Sequence, residues 1–107
     1  MAAGLSRAKG RRVRVRNFFG TDGGLVYVYT RGGERFGCNA TLTELGDQLD
    51  PRKFFRCHRE YIVNLTRVRE IIPQAAGTYR LVLDDEAKRE VPVARTRVHG
   101  LRERLPW

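Results

Sequence analysis

Cysteine is scarce in this chain: Cys38 and Cys57 stand alone, with neither a C-x-x-C pair nor a disulfide-rich framework. That excludes a small scaffold held by cystines and makes a reduced, cytoplasmic setting the expectation. Acidic residues are in short supply too, 12 Asp and Glu against 21 Lys and Arg, for a formal net charge of +9. No apolar run approaches the ~20 residues that cross a bilayer, and the first twelve residues lack the apolar centre of a secretory signal, so the chain reads as soluble. Residues 1 to 16 are rich in Arg and free of acids, as transit peptides are, but Arg12-Val13-Arg14-Val15-Arg16 alternates like a strand rather than a helix. With 107 residues there is material for one core, not for two domains of ordinary size.

An excess of positive charge favours a polyanionic partner, nucleic acid first and an anionic membrane surface second. Eighteen of the 21 cations are Arg. Its planar fork bonds a phosphate or the O6/N7 edge of guanine bidentately, which Lys cannot do, although a composition-biased genome also enriches Arg everywhere. The cations cluster: six with no acid in residues 7–16, six with one acid in 52–69, and six with two acids in 88–104. The second and third clusters interrupt or end strand-like runs, where loops stand on rigid scaffolding.

Residues 1–11 show no periodicity and read as a loose basic tail or the stub of a linker, and residues 12–107 as one domain. Leu25-Val26-Tyr27-Val28-Tyr29-Thr30, the turn Arg31-Gly32-Gly33-Glu34 and Arg35-Phe36-Gly37-Cys38 form a hairpin pattern. Thr41-Leu42-Thr43-Glu44 has capping-box spacing, and Leu42, Leu45 and Leu49 predict a two-turn helix that stops at Asp50-Pro51. Strand-like runs follow at Phe54–Cys57 and Tyr61–Leu65, around His58-Arg59-Glu60, then at Val68–Ile72, Thr78–Leu83 and Arg89–Val93. Between the last two, Asp84-Asp85-Glu86 reads as a solvated hairpin turn, not a metal site. From Thr96, the spacing of Val98, Leu101 and Leu105 before Pro106 predicts a short closing helix.

Phe54-Phe55-Arg56-Cys57-His58-Arg59-Glu60-Tyr61-Ile62-Val63-Asn64-Leu65 closely resembles the F-x-R-x-H-R-S-x-I-V-N core of the LytTR family of bacterial transcription-regulator output domains. Gly77–Leu83 and Val91-Pro92-Val93-Ala94-Arg95 resemble that family's next hairpin and its V-P-V-S-R segment, and the Leu42–Leu49 helix falls where the family has one. The match runs over roughly residues 12 to 105, with several motifs in order.

The resemblance implies a mainly β fold, an elongated arrangement of short antiparallel sheets with one or two short helices. It also implies contact with promoter duplex DNA through loops in the major groove, and no cofactor. Carried over residue by residue, contact falls on His58 and Arg59, and on Arg95 with Thr96 beside it. Arg59 and Arg95 are the candidate base readers; a surface ion pair with an acid such as Glu60 is the alternative use of either. Arg56, Lys53 and Arg97 are candidate phosphate anchors. His58, beside two arginines, either touches DNA or positions its loop. Two protomers on a repeated site are expected, and family members carry a sensory or receiver domain beyond this one.

Two positions depart from the family: Glu60 stands where Ser is usual, and Ala94 where Ser is frequent. Glu60 adds a repulsive charge near an interface with DNA unless a cation neutralises it. The early loop Gly20-Thr21-Asp22-Gly23-Gly24 has no clear base reader. Cys57 lies between Arg56 and His58, a setting that can lower a thiol pKa and make it redox active, while alternation places it with Phe55 on a face where a small buried Cys belongs. Tyr27, Tyr29, Phe36, Phe54, Phe55 and Tyr79 serve either a core or a stacking surface, the latter being the mark of the alternative function, a single-stranded nucleic acid or RNA-binding β module. A protein-interaction module with an incidentally high pI is a third reading. No nucleophile, base and oxyanion donors can be assembled, so no enzyme is expected, and no metal is assigned.

Overall fold

The structure, a computed structural model, describes residues 15–105. The tail expected over residues 1–11 and the alternation from Arg12 to Arg14 lie outside the described residues, as does Pro106, the expected stop of the closing helix. Along the described chain run β1 (Arg16–Asp22), β2 (Leu25–Thr30), β3 (Arg35–Cys38), α1 (Leu42–Gln48), β4 (Phe54–His58), β5 (Tyr61–Asn64), β6 (Val68–Pro73), β7 (Tyr79–Leu83), β8 (Glu90–Val93) and α2 (Val98–Arg104). All pairings are antiparallel, in a five-stranded sheet ordered β3-β2-β1-β5-β4 and a three-stranded sheet ordered β6-β7-β8. The body measures 52 × 26 × 24 Å, so the mainly β, elongated architecture is as expected. No helix among the described residues is long and apolar enough to cross a membrane.

β1 is the element that residue patterning did not announce. It is central in its sheet, and Asn17, Phe18, Phe19 and Gly20 are all buried. Phe18 faces one core and Phe19 the other, so adjacent positions are both apolar and the period-2 signature vanishes. Ile62 and Val63 of β5 divide in the same way. The core on one face joins Phe18, Cys57 and Val63 to Leu81, Leu83, Val91 and Val93 of the small sheet and Leu101 of α2. On the opposite face Phe19, Val26 and Ile62 pack with Leu42 of α1, flanked by Leu45 and Leu49.

The capping box closes as the spacing predicts: Glu44 N–H donates to Thr41 Oγ1 at 3.1 Å, and Thr41 N–H to Glu44 Oε1 at 2.9 Å. The closing helix begins at Val98, not Thr96, because a 3-10 turn over Arg95–Arg97 precedes it. The acidic turn also departs from expectation. Asp85 is only 4% exposed and takes the Arg89 N–H at 2.8 Å and its Nη1 at 3.3 Å, while Asp84 accepts from Asn17 Nδ2 and Arg67 Nη1, both at 3.1 Å. Arg89 Nη2 reaches the Gly33 carbonyl at 2.9 Å. Asp84 and Asp85 are therefore part of a bolt between the two sheets, while Glu86 stays exposed as in a solvated turn; Asp85 could be buried because a cation and an N–H satisfy it.

Candidate nucleic-acid interface

β4 and β5 leave a two-residue tip, Arg59-Glu60, beyond His58. The chain leaves β8 beside it, because Ala94 N–H donates to the Cys57 carbonyl at 3.0 Å. That one bond sets His58 and Arg59 next to Arg95, Thr96 and Arg97, although the two groups are more than thirty residues apart in sequence. The end of β1 closes from another side: Thr21 N–H donates to the Glu60 carbonyl at 3.2 Å and Thr21 Oγ1 to Glu60 Oε1 at 2.7 Å. From the β6–β7 turn Gly77, at φ +73°, comes so close that a Cβ there would stand 3.3 Å from Arg95 Cδ. Glycine at this point both accepts the left-handed backbone and makes room for the Arg95 stem.

The cations do different things. Arg59 projects outward with its side chain 86% exposed; its Nε is 3.9 Å from Glu60 Oε2, the outer limit of an ion pair. The anticipated pairing with Glu60 thus exists but leaves the terminal nitrogens of Arg59 uncovered. Arg95 is exposed and has no acidic partner among the described residues; Thr96 and Arg97 are exposed beside it in the 3-10 turn. Arg56 behaves otherwise. Its Nε donates to the His58 carbonyl at 3.1 Å and its Nη2 donates to the Arg59 carbonyl, so the guanidinium ties down the tip from within. Lys53 is exposed but sits before β4, at the end away from His58. Five residues of extended chain put its Cα about 16 Å away from that of His58, so it does not join the cluster.

His58 Nδ1 accepts the Glu60 N–H at 3.1 Å, and its ring meets Tyr61 edge-on at 5.7 Å between centroids. An acceptor at Nδ1 puts the neutral ring's proton on Nε2, so the side chain organises the tip and still carries one donor. Both roles open to it on the sequence alone fit this geometry.

Cys57 is fully buried, and its Sγ donates to the Tyr61 carbonyl at 3.8 Å. Burial pushes its thiol up to about 12, outweighing Arg56 and Arg97, which act in the opposite direction. The low-pKa thiolate that redox sensitivity requires is not what this site provides. Most of the aromatics are covered as well: Tyr29 stacks on Phe18 at 4.3 Å, Arg35 caps the Tyr27 ring at 3.9 Å, and Phe54, Phe55 and Tyr79 pack against the cores. Phe36, 42% exposed, is the exception. Groups of His, Cys, Asp or Glu able to hold a metal are absent among the described residues.

Sequence reasoning overlooked Thr21 and Gly77. Gly77 opens the segment that resembles the family's hairpin but received no role there; each matters through a neighbour 39 or 18 positions away, and a pairing of β1 with β5 was the missing clue for Thr21.

The profile of the family described as LytTr DNA-binding domain matches residues 16–106. The transcriptional regulatory protein YpdB of Escherichia coli (strain K12) is 43% identical over 79 residues, covering 74% of this chain and 32% of that protein. The sensory transduction protein LytT of Oceanobacillus iheyensis is 35% identical over 88 residues, 82% of this chain and 36% of that one. The CO-responsive transcriptional regulator RcoM of Rhodospirillum rubrum is 42% identical over 81 residues, 76% and 34% respectively. The chain thus spans about a third of the length of these relatives. A solved LytTr DNA-binding domain from Bacillus cereus superposes with a TM-score of 0.76 at 24% identity, over 86% of this chain and 82% of that chain, a likeness of fold.

Proposed function

The chain belongs to the family of LytTr DNA-binding domains, and on that premise we propose that it reads double-stranded promoter DNA as the output domain of a bacterial transcription regulator, inserting the β4–β5 tip and the β8–α2 connection into the major groove. The observation that carries this is the Cys57 to Ala94 backbone bond, which makes one surface of two Arg-bearing loops. A major groove ~12 Å wide admits a two-stranded β ribbon, and β4–β5 ends as one.

On this reading Arg59 and Arg95 each present a fork to guanine O6/N7, worth about 1–3 kcal/mol of discrimination. Arg97 and the Thr96 hydroxyl meet phosphate and set register. His58 lends its Nε2–H, and Arg56 holds the tip instead of gripping phosphate. Lys53 serves as a phosphate anchor only if the duplex extends along β4 to its far end. A second protomer on a repeated site lengthens the sequence that is read, and a sensory or receiver domain outside this chain supplies control. DNA as the partner places the domain in the cytoplasm. The covered aromatics give the single-strand alternative no continuous stacking platform.

Fluorescence-anisotropy titrations over a salt series, with duplexes selected by the wild-type domain from a random pool and a matched single strand, test this. Duplex should be preferred, and Arg59→Ala or Arg95→Ala should flatten the preference while the salt slope stays nearly unchanged. Equal binding by both variants, or a stronger hold on the single strand, overturns the assignment.

A further inference from the structure

At the β4–β5 tip the carboxylate of Glu60 has a different partner on each oxygen. Oε1 accepts from Thr21 Oγ1 at 2.7 Å, and Oε2 faces Arg59 Nε at 3.9 Å. The backbone of the same residue donates to His58 Nδ1 at 3.1 Å and accepts from Thr21 N–H at 3.2 Å. Glu60 therefore touches His58, Arg59 and the end of β1 at once. A serine, usual at this place in the resembling family, ends too near the backbone to span Thr21 and the Arg59 guanidinium together.

We propose that Glu60 is a specificity-determining residue of the base-reading tip: latched to Thr21, its carboxylate fixes a negative charge on the Nε side of Arg59, at ion-pair range and not in a hydrogen bond, which favours the terminal nitrogens facing outward and repels phosphate from the tip. The inference rests on the reading of Arg59 as a base reader. An unrestrained arginine this exposed can bind any phosphate oxygen, which adds affinity without sequence preference. A charge on the Nε side leaves the Nη pair free as the fork that matches guanine O6/N7. An anion fixed beside it makes the alternative, phosphate, the poorer ligand, which is how like charge suppresses wrong partners. Because the pair is exposed, its contribution to fold stability is small and its effect falls on discrimination.

The test compares binding of a duplex selected by wild type with a scrambled duplex of equal length, for wild type, Glu60→Gln, Thr21→Ala, Arg59→Ala and the double variant Glu60→Gln with Arg59→Ala. Glu60→Gln keeps an acceptor for Thr21 and loses the charge; Thr21→Ala keeps the charge and loses the latch. The expected result for Glu60→Gln is tighter binding of the scrambled duplex with little gain on the selected one, so the ratio falls by up to about fivefold, the ceiling for an exposed ion pair. Thr21→Ala should lower the ratio by weakening the selected duplex, and Glu60→Gln should have no effect on the ratio once Arg59 is Ala. Should Thr21→Ala fail to fold, the Glu60 and Arg59 variants decide alone. If Arg59→Ala flattens preference but Glu60→Gln leaves the ratio at the wild-type value, the Glu60 role is wrong and Arg59 stands as a reader. If Arg59→Ala leaves preference intact, or wild type selects nothing from the pool, the base-reading assignment falls and this one with it.

Discussion

Arg56 separates two ways a cation can serve a DNA-binding surface. As a phosphate anchor it would supply charge; as placed, it donates Nε to the His58 carbonyl and Nη2 to the Arg59 carbonyl. Hydrogen bonds from a charged donor are worth about 1.5–3 kcal/mol each, and half-burial argues for the low end, so the two together hold the tip by about 2 kcal/mol once incomplete additivity is allowed. That is a factor of roughly 30 between the held tip and its alternatives. Since apparent affinity scales with the fraction of molecules in the competent state, roughly 30-fold is the ceiling on the loss for a selected duplex. Arg56→Lys is the decisive substitution, because it keeps the charge but has no rigid fork to reach two carbonyls. Anisotropy over a salt series should show Arg56→Lys and Arg56→Ala both losing sequence preference, with a nearly unchanged salt slope for the Lys variant. The positioning role is refuted if Arg56→Lys binds as wild type does while Arg56→Ala weakens all duplexes alike and lowers the slope by about one, the signature of one lost phosphate contact.

Burial lifts the Cys57 thiol to about 12, so between the ~8.5 of an unfolded thiol and that value the unfolded chain sheds a proton that the folded chain keeps. Stability present below that window should fall as pH rises through it, at up to about 1.4 kcal/mol per pH unit from this group, and Cys57→Val should show a shallower fall in urea denaturation at pH 8.5 to 11; an identical slope speaks against it. Asp85→Ala strips a buried carboxylate from Arg89 and should cost about 3 kcal/mol by the same method, with Asp85→Asn recovering part; a loss under about 1 kcal/mol would mean that the two sheets do not depend on this bolt. Gly20→Ala would bring a Cβ within 2.7 Å of Tyr61 Cε1, so it should destabilise by about 1–3 kcal/mol in thermal melts and disturb the ring on which His58 rests; a wild-type melt would show that Tyr61 moves freely.

Much of the fold was legible because its signals are local. Thr41 and Glu44 are three residues apart and cap α1 between themselves; the Leu25–Cys38 hairpin and the apolar run that ends β7 are read from neighbouring residues alone. β1 was illegible because, with cores on both faces, it has no polar face to alternate with, and its apolar run is only Phe18-Phe19 between Asn17 and Gly20, shorter than the run that made β5 readable. The acid turn was misread for a related reason: Asp84 and Asp85 resemble any solvated turn until Asn17, Arg67 and Arg89 are known to converge on them.

The sequence by itself favoured a polyanionic partner, through net charge and an arginine-dominated cation set, and it determined the family, through a run of residues from Phe54 to Leu65 whose order survives without any knowledge of packing. Only the tertiary structure decided where each cation stands and what it bonds to. Arg56, Arg59, Arg95 and Lys53 are alike in composition, yet one ties the tip, two face outward from neighbouring loops and the last stands at the far end of a strand. The physical reason is that a guanidinium's role is set by the acceptors within about 3 Å of it. Around this tip, the His58 and Arg59 carbonyls lie near Arg56 in sequence, but Thr21, Gly77 and Ala94 arrive through long-range sheet pairing that no local pattern encodes.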